Sequence, residues 1–185
     1  MNLAGKLQAV IGGGASDARL DSYETERSAH VREYIELAVK LGGIIQATDV
    51  ESVRRRDSEL VANLSSVQII VPRLGPGLHG DAPGPAGMRA EQPRLRDGTR
   101  LDDRAGYRFA LLASPSLLGD LGDDGRRRLE CGNVAIVPAD GDAAAYLGRM
   151  GTGAVMLRPD RAILGIAPSA AELVAPISDA GRGNR

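Results

Sequence analysis

The stretch YRFALLASPSLLGDLGDDGRRRLECGNVAIVPA, residues 107–139, decides the fold class. Its two ends, YRFALLA (107–113) and NVAIVPA (133–139), are short apolar runs that are typical of buried strands. Between them, residues 117–129 predict a short helix. The stretch therefore predicts strand, helix and strand in succession, which favours an α/β domain.

The pattern continues towards the carboxyl end. Residues 143–150 predict a helix, GAVMLRPDRAILGIA (153–167) predicts two strands about a Pro159-Asp160 turn, and residues 169–177 predict a closing helix. The full order is βαβαββα, which matches the core of a thioredoxin-like domain. In redox-active members the cysteine pair follows the first strand, where the helix dipole lowers the thiol pKa. Here that place reads Ser114-Pro115-Ser116, so disulfide exchange is excluded.

The first third of the chain is predicted to be helical. Apolar residues recur at helical spacing in three runs, and glycines or a capping aspartate mark their ends. The runs are a helix ending at Gly12-Gly13-Gly14, a long helix from about Asp17 or Asp21 to Gly42-Gly43, and a helix with Asp49 as N-cap reaching about Leu64. Apolar side chains of the second helix fall roughly on one face, namely Leu20, Tyr23, Val31, Tyr34, Ile35, Ala38 and Leu41, and those of the third that are predicted to face inward are Val53, Leu60, Val61 and Leu64.

Residues 72–93 are rich in glycine and proline and predict a linker or a wrapped surface loop. The predicted organisation is thus a helical segment over 1–71, the 72–93 linker, a thioredoxin-like domain over 94–180 without a redox cysteine pair, and a tail over 181–185.

That linker contains LGPGLHG (74–80), whose Gly75, Gly77 and Gly80 spell the G-x-G-x-x-G of dinucleotide-binding turns. A working turn of this kind lies between a strand and a helix, whose N-terminus meets the pyrophosphate. VQIIV (67–71) before it could be a strand, but DAPGPAG after it cannot begin a helix, and Pro76 lacks a backbone N–H. The motif is therefore interpreted as a turn-rich linker.

Composition excludes several classes of function. The chain has 185 residues, a net charge of −1 and no Trp, which argues against strong binding to nucleic acid or to an anionic membrane. Cys131 is the only cysteine and the histidines are His30 and His79, which excludes an intramolecular disulfide and a zinc site of the usual spacing. No apolar run reaches the length of a membrane span and no signal peptide is recognised, so the expected location is cytoplasmic.

Residues that could carry other chemistry are few. Asp102-Asp103 and Asp123-Asp124 are expected to cap helices or lie at the surface, and His79 is expected to face solvent in the linker. His30 could be partly buried or exposed, and Cys131 is expected to be a small core residue. No catalytic, cofactor-binding or metal-binding residue is predicted.

Several motifs together resemble one family. NLAGKLQAV (2–10) followed by LDSYETER (20–27) is similar to the N-L-A-W-K-L and L-L-D-S-Y-x-x-E-R motifs of class A FAD-dependent aromatic hydroxylases. The branch that hydroxylates hydroxyphenylpropionate resembles this chain over 30–49, LGPGLHG, 93–113 and 151–167. Gly5 departs from the usual Trp and is expected to loosen the first helix.

The resemblance implies the C-terminal part of an FAD- and NAD(P)H-dependent monooxygenase that hydroxylates a phenolic aromatic acid. It also implies that the N-terminal FAD-binding region of the family is lacking, so no cofactor is expected to bind this chain alone and the chain is expected to be inactive alone. The expected partner is a second copy or the missing flavin domain.

Two alternatives stay open. The chain could be a non-catalytic thioredoxin-like module for association or dimerisation, since its first helices would expose apolar faces. The arginine runs 54–56 and 126–128 could bind nucleic acid, although solvated helix faces are the simpler interpretation.

Overall fold

The computed structural model describes residues 2–46, 48–62, 71–79 and 84–167, which form a mixed α/β structure. The described helices are α1 (Asn2–Ile11), α2 (Ala18–Ile45), α3 (Val50–Ala62), α4 (Leu101–Ala105), α5 (Pro115–Asp120), α6 (Gly122–Cys131) and α7 (Gly141–Arg149). The described strands are β1 (Phe109–Ala113), β2 (Val134–Pro138), β3 (Ala154–Leu157) and β4 (Ile163–Ala167). The predicted α/β class is confirmed.

The four strands form one sheet in the order β2-β1-β3-β4. The central strand β1 pairs in parallel with β2 and antiparallel with β3, so that Leu111 lies between Ile136 and Met156. The β3–β4 pair is antiparallel and turns at Pro159-Asp160, as the sequence predicted. The two strands that flank β1 in the sheet, β2 and β3, therefore both lie more than twenty residues after it in the sequence.

The sheet has a hydrophobic layer on each face because successive side chains of a strand point to opposite sides. Ala110 and Leu112 of β1 pack on one face, and Leu111 and Ala113 pack on the other. The first layer is completed by buried residues of α4 and α7, and the second by buried residues of α5 and α6. Helices on both faces leave this sheet with little exposed apolar surface.

The helix predicted over 117–129 is instead two helices that meet at Leu121. Gly122 takes a φ of 65° there, a conformation that ends one helix and lets the next begin in a new direction. Helix α4 was missed because five residues are too few to show a hydrophobic period. Its Leu101 and Ala105 are fully buried.

The N-terminal helices confirm most of the predicted boundaries. Helix α1 ends before Gly12, and α3 begins after Asp49, whose Oδ1 accepts a hydrogen bond of 2.8 Å from the Ser52 amide. The predicted stop at Gly42-Gly43 was wrong, since α2 continues through both glycines to Ile45. Gly5 lies inside α1, facing the ring of Pro159.

The predicted inward face of α3 was wrong for Val61, and the apolar face of α2 is partly open to solvent. Tyr34, Ile35 and Val61 are exposed, and neither helix buries an apolar side chain completely. Helical spacing identifies an apolar face, but it does not show whether any described part of the chain covers that face.

The described part of segment 72–93 is a wrapped loop that is hydrogen-bonded on both sides. Gly75 donates its amide hydrogen to the Glu26 carbonyl of α2 at 3.0 Å, and Gly87 donates to the Ile163 carbonyl of β4 at 2.8 Å. The loop thereby ties the long helix to the edge of the sheet. The proposed domain boundaries stay predictions.

Three predicted features lie outside the described residues. They are most of the strand at 67–71, the closing helix at 169–177 and the tail at 181–185. The same holds for Leu64, the last residue of the predicted third helix.

Candidate functional site

A buried carboxylate in the first half of α2 connects the helices to the loop and the sheet. Glu26 is fully buried and accepts hydrogen bonds from Nδ2 of Asn2 at 2.8 Å and from the amide of Leu78 at 2.9 Å. Arg158, at the end of β3, donates to both carboxylate oxygens at 2.8 and 2.9 Å. Lys6 of α1 lies 3.0 Å from Oε2. Three separate parts of the chain, α1, the loop and the end of β3, thus converge on one side chain of α2.

The charges in this cluster balance. Arg158 is 2% exposed and also pairs with Asp160 at 3.0 Å, while Lys6 is 2% exposed and donates to the Ser22 hydroxyl. The cluster therefore holds two cations against the two anions Glu26 and Asp160. A bidentate arginine–carboxylate pair with further donors is the arrangement that allows charges to be buried without a large penalty.

The neighbours of Glu26 keep it ionised. Burial raises the pKa of a carboxyl group, but the hydrogen bonds and charge of Arg158, with the Asn2 and Leu78 donors, outweigh burial and hold the pKa of Glu26 at about 2. Glu26 is therefore a fixed anion at neutral pH, and its role is to hold elements together.

Two glycines of LGPGLHG, Gly75 and Gly77, are explained by contact with α2. A Cβ added at Gly75 would lie 2.4 Å from the Thr25 carbonyl oxygen, and one added at Gly77 would lie 2.3 Å from the Glu26 carboxylate. No real side chain approaches so closely, so both positions need glycine. The spacing that suggests a nucleotide-binding turn arises from close packing of a loop on a helix.

Two amides of this turn, those of Gly75 and Leu78, are already used. Gly75 and Leu78 both donate to Glu26, to its carbonyl and its carboxylate respectively, and Pro76 has no N–H. The carboxylate of Glu26 thus occupies the place that a phosphate would need. The Gly75 and Leu78 amides are therefore not free to bind a pyrophosphate, and the interpretation of the motif as a turn-rich linker stays a prediction.

His79 is buried, and the prediction that it faces solvent was wrong. It is 7% exposed because Gly87, at φ 79°, lets the loop close over the imidazole: a Cβ at Gly87 would lie 2.5 Å from Nε2. Burial and the nearby Arg158 charge lower the pKa of His79, so the ring is neutral. Its Nδ1 is buried with no hydrogen-bond partner among the described residues.

Beside this cluster lies an open cavity of about 400 Å³ between α1, α2, the loop and the β3–β4 turn. One wall is the face of α2 that carries Tyr23, Arg27, His30 and Tyr34. The imidazole of His30 accepts a hydrogen bond from Arg27 at 2.9 Å and packs on the ring of Tyr34 with 4.8 Å between ring centroids. The cavity combines aromatic walls with cationic groups.

The remaining sequence candidates lie apart from this cluster. Asp103 accepts from the Arg100 amide at 3.2 Å at the start of α4, and Asp102 pairs with Arg161, which confirms their capping and surface roles. Asp124 forms an exposed pair with Arg128 at 3.0 Å. Cys131 is exposed, so the prediction of a core cysteine was wrong.

Over the described ranges, no group of three or more His, Cys, Asp or Glu side chains could hold a metal ion. In the same ranges, no helix is both long and apolar enough to cross a bilayer.

The sequence reasoning missed Glu26 and Arg158 altogether. Both lie within the motifs that carry the family resemblance, but nothing in their spacing shows that a charge will be buried. The 132 positions between them become a contact only through the fold.

Known proteins similar to this chain are flavin enzymes. A family model described as "FAD binding domain" matches residues 1–38, which cover α1 and most of α2. A 3-(3-hydroxy-phenyl)propionate/3-hydroxycinnamic acid hydroxylase of Mycolicibacterium smegmatis is 32% identical over 93% of this chain and 38% of its own length. A protein of Rhodococcus jostii named "Probable NADH-specific resorcinol 4-hydroxylase" is 29% identical over 93% of this chain and 36% of its own.

Solved structures agree in fold. The flavin-dependent monooxygenase PieE, in complex with FAD and substrate, superposes with a TM-score of 0.67 at 21% identity, over 96% of this chain and 42% of PieE. Aklavinone-11 hydroxylase, with FAD and aklavinone, gives a TM-score of 0.59 at 19% identity over 97% of this chain and 38% of that enzyme.

The chain belongs to the family of FAD-dependent aromatic hydroxylases related to hydroxyphenylpropionate hydroxylase, as its motifs predicted, and spans about two-fifths of the length of the relatives that it matches.

Proposed function

We propose that this chain is the C-terminal part of an FAD- and NAD(P)H-dependent monooxygenase that hydroxylates a phenolic aromatic acid, and that it neither retains flavin nor turns over substrate alone. The main support is the 32% identity to a hydroxyphenylpropionate hydroxylase over 93% of the chain. The turn supports the proposed absence of a flavin site in the chain by itself, since its Gly75 and Leu78 amides already donate to Glu26.

The test uses the chain alone and fused behind the N-terminal part of the Mycolicibacterium smegmatis relative. We expect the chain alone to pass through gel filtration without flavin after incubation with FAD and NADH. The fusion is expected to retain FAD and to oxidise NADH in the presence of a hydroxyphenylpropionate. Flavin that elutes with the chain alone would contradict the proposal, as would a folded fusion that binds no flavin.

We also propose that the exposed apolar side chains of the N-terminal helices form an association surface. Ile11 is 83% exposed, Val39 70% and Ile45 79%. Apolar groups that are clustered on helices at such exposure usually meet a partner or aggregate. The flavin-binding part of the enzyme is the proposed occupant, and a second copy is the alternative.

The sheet supports a thioredoxin-like assignment for the C-terminal region. Its order β2-β1-β3-β4, with one parallel and two antiparallel pairings, fits the βαβαββ part of the pattern that the described residues cover. With Ser114 as the N-cap of α5 where a redox cysteine would be, we propose that this region is an association module without redox activity.

A further inference from the structure

We propose that a second, much smaller cavity beside the Glu26 cluster binds one halide ion, such as chloride, as a counter-ion. This small cavity lies between α1, the start of α2, Leu78 of the loop, the start of β1 and the β3–β4 turn. The inference rests on the charge and the volume at this place, and it does not depend on the proposed function.

The side chains around the small cavity carry one positive charge more than their neighbours neutralise. Lys6 and Arg158 line it, and they are balanced by Glu26 and Asp160. Arg19, near the start of α2, also lines it and is a third cation. Three positive charges therefore stand against two negative ones, and one monovalent anion would complete the balance.

Arg19 is the cation that lacks a counter-ion. Its side chain is partly buried and forms no hydrogen bond or ion pair with any residue that the structure describes. Burial and the nearby Arg158 charge lower the pKa of Arg19, against the smaller opposite effect of Glu26. A partly buried guanidinium beside another cation is costly unless an anion accepts its hydrogen bonds.

The volume of the small cavity limits its ligand to a single small ion. The volume is about 30 Å³, which is close to the share of liquid volume that one water molecule occupies. Chloride and bromide are similar to a water molecule in size, whereas sulfate, phosphate and carboxylates are polyatomic and larger. A halide is therefore the class of anion that fits.

The lining also favours a halide over a water molecule. Lysine and arginine side chains only donate hydrogen bonds, and a halide only accepts them, whereas a water molecule must also donate. The acceptors that line the cavity are Asp160, which is paired with Arg158, and Oδ1 of Asn2. Leu78 and Phe109 add apolar surface, which strengthens the attraction between the cations and an anion.

The small cavity depends on the glycine at position 5. Gly5 lines it, and a Cβ added there would lie 3.8 Å from the Cβ of Pro159, which lines it too. That distance is an ordinary contact, so a methyl group fits without strain and would take up part of the cavity. Since the family motif has Trp at this position, we expect the space to be a feature of this chain.

Binding is measured by the line width of the chloride NMR signal as the whole chain is added to sodium chloride. A bound ion tumbles with the protein and broadens the line, and added bromide should narrow it again by displacing chloride. Sulfate at the same ionic strength should narrow it far less. Because screening depends on ionic strength and not on the identity of the ion, this comparison separates a site from general screening.

Thermal unfolding supplies a second readout, since a ligand that binds the folded chain raises Tm. Chloride at about 0.2 M is expected to raise Tm by about 2–4 °C over gluconate at the same ionic strength. The same difference should be absent in a variant that has lost the site.

Two variants with matched controls locate the site. Arg19→Gln removes the surplus charge, and Gly5→Ala removes volume but keeps every charge; each is expected to weaken chloride binding about tenfold. Arg32→Gln, at an exposed position of α2, and Gly43→Ala, with open space around the new Cβ, make the same changes elsewhere and should bind chloride like the parent chain. Alanine favours a helix interior over glycine, so Gly5→Ala should not lower Tm in gluconate.

A folded parent chain that does not broaden the chloride line would overturn the inference. Equal broadening by Arg19→Gln and Arg32→Gln, or equal displacement by bromide and sulfate, would do so as well. None of these results bears on the proposed function, because flavin retention by the fusion is measured separately.

Discussion

The two halves of helix α2 present opposite surfaces. The first half carries the fully buried Glu26, which is held by an arginine, a lysine, an asparagine and a loop amide. The second half, beyond His30, carries Val31, Ile35 and Val39, which are 40%, 58% and 70% exposed. One continuous helix thus buries a charged residue and exposes apolar residues to water.

Burial of a residue in this helix therefore depends on the segments that pack against it and not on the hydrophobicity of its side chain. Glu26 is buried because α1, the loop and the β3–β4 turn each bring a donor to it. The apolar second half is exposed because no described segment packs over it. The first half of α2 is thus packed against other segments of the chain, and the second half is expected to need a partner that covers it.

Replacing the Glu26 carboxylate should show the difference between the two halves of α2 most clearly. Glu26→Gln is expected to lower the free energy of unfolding by about 3–5 kcal/mol, since it leaves Arg158 and Lys6 buried with one anion fewer. Urea unfolding followed by circular dichroism measures this loss. Glu36→Gln in the exposed half is the control, with an expected change of less than about 0.5 kcal/mol. Similar small losses in both variants would show that the cluster does not stabilise the fold.

Acid should lower the free energy of unfolding by protonating Glu26 in the first half of α2. The pKa of Glu26 is about 2 in the folded chain and the ordinary value is 4.5. The contribution of ionised Glu26 to the free energy of unfolding is therefore complete above the ordinary pKa. It is lost as the pH falls from about 5 towards 2, by roughly 3 kcal/mol in total. Unfolding measured across that interval should show this loss in the parent chain. Glu26→Gln should lack this part of the pH dependence, and a parallel profile in both proteins would contradict the assignment.

The loop glycine tests how closely the first half is packed. Gly77→Ala is expected to destabilise by about 1–3 kcal/mol, because the added Cβ would lie 2.3 Å from the Glu26 carboxylate. Gly43→Ala in the second half has open space around the new Cβ and lies within α2, so it should stabilise by up to about 1 kcal/mol. Thermal unfolding of both variants supplies the comparison. Destabilisation by Gly43→Ala would mean that the second half is not a free helix face.

The smallest effect on stability should come from the exposed apolar residues. Ile35→Glu is expected to change the free energy of unfolding by less than about 0.5 kcal/mol, since the side chain is 58% exposed. It should nevertheless reduce self-association in light scattering and weaken binding to a separately produced flavin-binding part. Asp57→Glu on α3 keeps the surface charge and serves as the control. A parent chain that is monomeric and binds no such part would contradict the association surface.

Local sequence signals predicted much of the fold. The apolar runs at 109–113 and 134–138, the Pro159-Asp160 turn and the Asp49 cap all depend on residues close together in the chain, and all are present. The misjudged features, such as the continuation of α2 through Gly42-Gly43, concern positions where a local preference of about 1 kcal/mol gives way to the rest of the helix.

The candidate site was much less predictable. The glycine spacing in LGPGLHG has two possible causes, a bound phosphate or a close protein neighbour, and the letters do not distinguish them. The predictions for His79 and Cys131 were both wrong, since the histidine is buried and the cysteine is exposed. The exposure of each side chain depends on whether a segment distant in sequence folds over it.

Residue types, local periodicity and motif order were enough to predict the α/β class, the family and the absence of a redox cysteine pair. The folded chain was needed to show that Glu26 meets Arg158, that this carboxylate fills the glycine turn and that aromatic and cationic side chains surround one cavity. Contacts of this kind join residues far apart in the chain, and their free energy depends on burial and exact neighbours, which no local pattern encodes.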